Sequence, residues 1–147
     1  MEKINKLRKI LVDNKLDGYL IPKNDEFFGE YTSDHNDRLK YITNFSGSYG
    51  FSLITKRNSY LFVDGRYTLQ AERQSGKAFK VFTFPKKMPF EFIKSKKLSI
   101  GFDPKLFTSR TLNIFFGKNN CKFIPLKKNL IDQIWKRKVI KKNNKFY

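Results

Sequence analysis

The chain has one histidine, one tryptophan and one cysteine among 147 residues, and each shortage removes a class of chemistry. With Cys121 alone, no intrachain disulfide can form. The surrounding NNCKFIP reads as a turn entering a strand, which makes Cys121 a half-buried structural thiol. His35 is the only imidazole, and no spacing ties it to Cys121, Ser46 or Ser48 as a nucleophile–base pair. Carboxylates number 13 against 31 Lys and Arg. A two-metal hydrolytic site needs several carboxylates converging on one pocket. Only the stretch 25–37 gathers them (Asp25, Glu26, Glu30, Asp34 and Asp37, with His35), and it carries no ligand motif. It reads as a solvated loop with helix caps, and no metal ligand is assigned. There is no GxxxxGK[ST] phosphate loop and no GxSxG elbow. The sequence GSYGFS at 47–52 precedes a strand rather than a helix, so the dinucleotide-binding context fails. No long apolar run exists, so no membrane-spanning helix is expected. The opening MEKINKLRKILVDNK lacks the apolar core and cleavage site of a secretory signal. A cytoplasmic location is the resulting expectation.

What is present describes a globular chain. The hydrophobic share is 39%, and 16 residues are Phe; the length fits one domain. The formal charge of +18 points to nucleic acid, an anionic membrane or an acidic partner. A blander reading competes with it. Lys, Asn, Ile, Phe and Tyr are all abundant, and all are products of AT-rich codons, so neutral surface positions could have drifted to lysine. The cations are spread along the chain except in the tail, where Lys136-Arg137-Lys138 and Lys141-Lys142 crowd together as in a solvated linker. No RNP-type aromatic motif accompanies them. Nucleic acid is therefore not the expected partner, and a stand-alone basic module that binds nucleic acid or another anionic partner is the alternative function.

Patterning predicts strands alternating with helices. Ile4, Leu7, Ile10 and Leu11 recur at helical spacing over 2–15. Asp17-Gly18 breaks that helix, and Tyr19-Leu20-Ile21 is a buried strand stopped by Pro22. Asn36 or Asp37 caps a short helix through Tyr41-Ile42, and NFSGSYG is a loop. Strands 51–55 and 60–63 flank a turn at 56–59. A helix over 66–74 turns Tyr67, Leu69 and Ala71 inward. A strand at 79–84, a helix at 89–94, a strand at 98–102, a helix from 108 or 109 to 116 and a strand at 123–125 follow. A short helix over 129–135, containing Trp135, closes the domain. This is an α/β fold with a mixed β-sheet flanked by helices and one inserted hairpin. Residues 1–138 form the domain, and 139–147 read as a linker toward further domains. An exposed apolar patch is expected where such domains would dock, with Ile134 and Trp135 as its residues.

Three stretches together resemble the N-terminal domain of the Xaa-Pro aminopeptidases of the creatinase/aminopeptidase P family. They are GEYTSDHNDRLKYITNFSGSYGFSLIT at 29–55, LFVDGRYTLQAERQ at 61–74, and IGFDPKLFT at 100–108 followed by IPLKKNLIDQIWKRK at 124–138. The resemblance runs in order along nearly the whole chain and is closest to the larger, three-domain members. Two departures stand out: Asn44 where the family commonly has Gly, and Tyr49 in place of the usual Ala. The resemblance implies a ribonuclease H-like motif. It also implies a full-length enzyme that removes an N-terminal residue preceding proline, using two divalent metals (Mn or Zn) in a C-terminal domain. None of those ligands or catalytic histidines corresponds to a position here, so this chain is expected to hold no cofactor, no catalytic residue and no activity of its own. The implied partners are the following domains, a second copy in a homodimer and the peptide substrate.

One residue carries over from the family. The arginine of the Asp-Gly-Arg-Tyr turn, which contacts bound peptide in related enzymes, maps to Arg66. The residues agree locally. Asp64 can cap the helix, Gly65 permits a tight strand-to-helix turn, and Arg66 projects from the first turn. A cation there opposes the helix dipole and needs another reason, either peptide contact or a salt bridge to Asp64, Glu30 or Asp37. His35 and Tyr67 are weaker substrate-contact candidates, His35 as a loop hydrogen-bonder and Tyr67 as a core residue.

Overall fold

In a computed structural model the described residues are 2–23, 37–47, 49–84, 86–89, 91, 97–107, 110, 112–113 and 121–135. The elements among them are α1 (Glu2–Asp13), β1 (Gly18–Pro22), α2 (Arg38–Thr43), β2 (Gly50–Thr55), β3 (Ser59–Asp64), α3 (Thr68–Ser75), β4 (Lys80–Phe84), β5 (Ser99–Phe102), β6 (Lys122–Pro125) and α4 (Leu130–Ile134). A 3-10 turn over Gly65–Tyr67 precedes α3, and a second over Gly76–Ala78 follows it. The expected helices at 89–94 and 108–116 fall largely outside the described residues, as do His35 and the tail.

The strands form one six-stranded sheet in the order β4-β3-β2-β1-β5-β6. β1, β2 and β3 pair antiparallel, whereas β3–β4, β1–β5 and β5–β6 pair parallel. The sheet is mixed, as the alternating pattern implied. β1, β2 and β3 are apolar almost throughout because both faces are covered. The period-2 rule sorts their side chains. Tyr19, Ile21, Ile54, Leu61 and Val63 face a core shared with Ile4, Leu7 and Leu11 of α1, Ala71 of α3 and Leu130, Ile131 and Ile134 of α4. Leu20, Phe51, Leu53, Tyr60, Phe62, Ile100 and Phe102 build a second, Phe-rich core on the other face. There Phe51 and Phe62 stack at 5.0 Å, a cross-strand aromatic pair.

Pro22 ends β1 as expected, in register opposite Phe51, at a strand terminus where a missing N–H is tolerated. Other expectations are corrected. Leu69 points outward, at 77% exposure. Tyr67, Ala71 and Ser75 form the inward i, i+4 stripe, and Leu69, two residues from Ala71 within α3, lies about 200° around the helix from it. Ile134 and Trp135 are no exposed patch. Ile134 packs into the first core. Trp135 follows α4 as its C-cap and stacks on Tyr41, with centroids 4.8 Å apart.

Long-range ties hold α4 against the sheet. Arg38 Nε and Nη2 donate to Asp132 Oδ1 and Oδ2 at 2.9 and 3.0 Å, a bidentate pair. Asn129 caps α4 by accepting from the Ile131 N–H, and its Nδ2 donates to Asp103 Oδ2 at 2.9 Å. The Leu130 N–H, which no helical carbonyl can accept, donates to the buried Tyr19 hydroxyl at 3.2 Å. Replacing Tyr19 by Phe strands that amide and is expected to cost about 1–2 kcal/mol in chemical denaturation. Burial pushes the Tyr19 pKa well above the ordinary tyrosine value. A raised folded pKa means its contribution is intact below about pH 10 and is lost as pH climbs toward the folded value. The Phe variant should therefore lose less stability than the parent between neutral and strongly alkaline pH. Equal alkaline losses in both proteins would contradict this.

Candidate functional site

The turn after β3 is built by one carboxylate. Asp64 Oδ1 accepts from the Arg66 N–H at 2.9 Å and from Arg66 Nε at 3.2 Å. The first bond caps the 3-10 turn, and the second folds the guanidinium back over its own root. The Arg66 guanidinium also lies 5.4 Å from the Tyr67 ring centroid, within cation–π range. The backbone N–H of Arg66, followed by its side chain, holds the Asp64 carboxyl below its ordinary value. The reciprocal bond raises Arg66. The Arg66 side chain nevertheless stays 75% exposed, and Nε is its one paired guanidinium atom among the described residues.

Of the three carboxylates considered for Arg66, Asp64 takes the role. Asp37 caps α2 through the Lys40 N–H and pairs with Lys23. Glu30 and His35 lie outside the described residues. Tyr67 is half-buried against the first core, its ring edge-on to Phe45 at 6.0 Å. Gly65 is not demanded by the turn. Its φ is not positive, and an added Cβ would meet Thr83 Cγ2 at an ordinary 3.5 Å.

The loop between α2 and β2 supplies the other wall. Asn44 ends α2 at φ 67°, a left-handed position where Asn readily replaces Gly. That accounts for the departure noted at residue 44. Gly47 is required by crowding, since a Cβ there would stand 2.2 Å from Phe45 Cζ. Ser46 is clasped by α3. Its N–H donates to Gln74 Oε1, and its Oγ accepts from Gln74 Nε2 and Gln70 Nε2. Carboxamides cannot take up a proton at neutral pH, so Ser46 has no base there. Tyr49 is 40% exposed and tilts against Phe84 at 5.9 Å. Its hydroxyl pKa is pushed up first by burial and then by the Asp64 charge, which places Tyr49 at the same edge as Arg66. Sequence reasoning noted Tyr49 only as a departure and missed Gln70 and Gln74. Their i, i+4 spacing on an otherwise charged helix face is the signal that could have found them.

This edge can bind an anionic or carbonyl group through an exposed guanidinium beside an aromatic ring, and it holds no nucleophile–base pair among the described residues. Cys121 is half-buried at the second core, and burial pushes its thiol up, away from the reactive thiolate. Among the described residues no group of three or more His, Cys, Asp or Glu is arranged to hold a metal ion. No helix among them is long and apolar enough to cross a membrane.

These elements make a mixed α/β domain that presents a cation at one strand end. The chain belongs to the Creatinase/Prolidase N-terminal domain family, which it matches over residues 3–134. It is 32% identical over 143 residues to a probable Xaa-Pro aminopeptidase P of Laccaria bicolor, covering 91% of this chain and 22% of that protein. It is likewise 32% identical over 144 residues to aminopeptidase P1 of Arabidopsis thaliana, covering 92% and 22% respectively. The fold matches X-prolyl aminopeptidase from Caenorhabditis elegans, a cytosolic enzyme with a di-nuclear active site, with a TM-score of 0.77 at 28% identity over 91% of this chain and 25% of that one. It also matches the N-terminal domain of the cytoplasmic peptidase PepQ from Mycobacterium tuberculosis, with a TM-score of 0.68, covering 98% of that chain. The chain thus spans about a fifth of the length of the curated relatives it matches.

The Asp64 cap gives a direct test. Because its folded pKa is depressed, whatever stability it adds is present above the unfolded aspartate value and is lost as pH falls through the folded one. NMR titration should place the Asp64 midpoint below that of ordinary aspartate. Arg66→Gln, which keeps the backbone bond but removes the guanidinium, should move the midpoint part of the way back up. An unmoved midpoint would show that the side-chain bond is absent in solution.

Proposed function

We propose that this chain is the non-catalytic front domain of an Xaa-Pro aminopeptidase, with residues 1–138 forming the domain and the remainder leading to domains that carry the metals and the chemistry. The observation that supports this reading is the match to full-length Xaa-Pro aminopeptidases over nine-tenths of the chain but only about a fifth of theirs. The whole enzyme would be a cytoplasmic metallo-hydrolase that removes the residue before a proline and works as a homodimer. Arg66 would supply one wall of the peptide cleft. Its guanidinium is exposed, its root is fixed by Asp64, and charge-assisted donors of this kind suit a peptide carbonyl or carboxylate. Asp64 sets the turn, and Tyr67 and His35 would flank the peptide.

Two measurements test this. The 147-residue chain alone, supplied with Mn²⁺, should release no N-terminal residue from Xaa-Pro peptides, and measurable turnover would refute the assignment of chemistry elsewhere. In an enzyme containing the following domains, Arg66→Ala should lower kcat/KM by roughly 10- to 100-fold, chiefly through KM, the size expected for a hydrogen bond to a charged group. Unchanged kinetics would remove Arg66 from the site.

A further inference from the structure

The end of the sheet opposite Arg66 carries a feature that peptide binding does not use. β1, β3, β4, β5 and β6 all run the same way, so their first residues line up at one end beside the last residues of β2. In spatial order that end presents Lys80 at the start of β4, Lys56 and Arg57 in the β2–β3 turn, Lys15 before β1, Lys97 before β5 and Lys122 at the start of β6. All six are exposed. With strands about 4.8 Å apart, the row crosses six strands and spans roughly 24 Å.

The carboxylates are not distributed in the same way. Among the described residues, Asp17 is the one carboxylate within the row, bound to Lys56 at 3.6 Å and to the Ser99 N–H. Asp13 flanks the row at the end of α1. The opposite end carries more of the carboxylates: Arg66 pairs with Asp64, Lys23 with Asp37, Arg38 with Asp132 and Lys87 with Glu91, beside the further exposed Lys86, Lys105, Lys127 and Lys128. Uniform codon drift toward lysine would raise the positive charge at both ends without sorting the acids to one of them.

We infer that this rim is a docking surface for the phosphate backbone of duplex nucleic acid. A row of cations at regular interstrand spacing suits a linear polyanion, and neutralising its phosphates releases counterions. Among the described residues no exposed aromatic side chain stands in the row to stack on unpaired bases. The nearby exposed aliphatic, Val12 on α1, is too small an apolar area to wedge into a membrane. The contact is therefore to phosphates and independent of sequence. It lies at the far end of the sheet from Arg66, so both surfaces can be occupied at once.

The test compares two sets of substitutions with identical net charge. One carries Lys15→Gln, Lys56→Gln, Lys80→Gln and Lys122→Gln. The other carries Lys86→Gln, Lys105→Gln, Lys127→Gln and Lys128→Gln at the opposite end. Thermal melts first establish that both remain folded. Binding of a short labelled DNA duplex is then followed by fluorescence anisotropy across a salt series. The rim set should reduce the magnitude of the log–log salt slope by roughly 3 to 4, at about 0.9 per lost phosphate contact, while the control set leaves the slope near that of the parent. Equal losses in the two sets would mean that net charge alone is responsible and would overturn the proposal. No duplex binding by the parent at low salt would overturn it too, as would rim-dependent binding to phosphatidylserine vesicles with none to DNA.

Discussion

The pairing of Arg38 with Asp132 is the contact on which the rest of this domain depends. α4 has only five residues, too few to persist alone, and it must be carried to a sheet whose central strand lies more than a hundred positions earlier in the chain. The Arg38 side chain is 6% exposed. A guanidinium held that far from water is tolerable only when its donors meet acceptors with good geometry, and the bidentate carboxylate supplies this for Nε and Nη2. Around the pair, Asn129 locks onto Asp103, Leu130 onto Tyr19, and Trp135 closes over Tyr41. The helix gains its position from these partners and gives back the apolar cover of Leu130, Ile131 and Ile134.

The consequences pass along the chain to the far wall of the site. Arg38 opens α2, so fixing it fixes the helix that ends at Asn44. Asn44 turns left-handed, Phe45 drops into the core, and Gly47 clears the ring. Ser46 is thereby delivered to Gln70 and Gln74, which orients α3 and the turn that presents Arg66. A residue at the surface of one element is thus positioned by an ion pair several elements away. The two ends of the sheet then divide the labour. The end bearing Arg66 holds four ion pairs and one exposed guanidinium, and the other end has a row of cations with few acids near it.

Much of this was legible in the sequence. The helical repeat of Ile4, Leu7 and Leu11, the hairpin around residues 56–58 and the Asp64 cap each rest on local rules that the fold does not override. What was not legible depends on partners distant in sequence. Arg38 and Asp132 are 94 positions apart, and nothing local marks them as a pair. Leu69 read as inward beside Ala71, but two residues of one helix are about 200° apart, and Ala71 takes the inward face. Trp135 read as a docking residue because it sits near the chain exit, but Tyr41 covers it. The turn gave Arg66 by resemblance and Asp64 by chemistry; of the Ser46–Gln70–Gln74 clasp, only the i, i+4 spacing of the two glutamines was local, and their partner Ser46 lies 24 and 28 positions away.

The dependence on the ion pair is tested most directly by a double-mutant cycle in which Arg38→Met and Asp132→Asn are measured singly and together by chemical denaturation. The account predicts a coupling of about 2 kcal/mol, with each single change leaving a buried or half-buried group stranded and the double change recovering part of the loss. Additive losses, with a coupling within about 0.3 kcal/mol of zero, would contradict it and show that α4 is held by apolar packing alone.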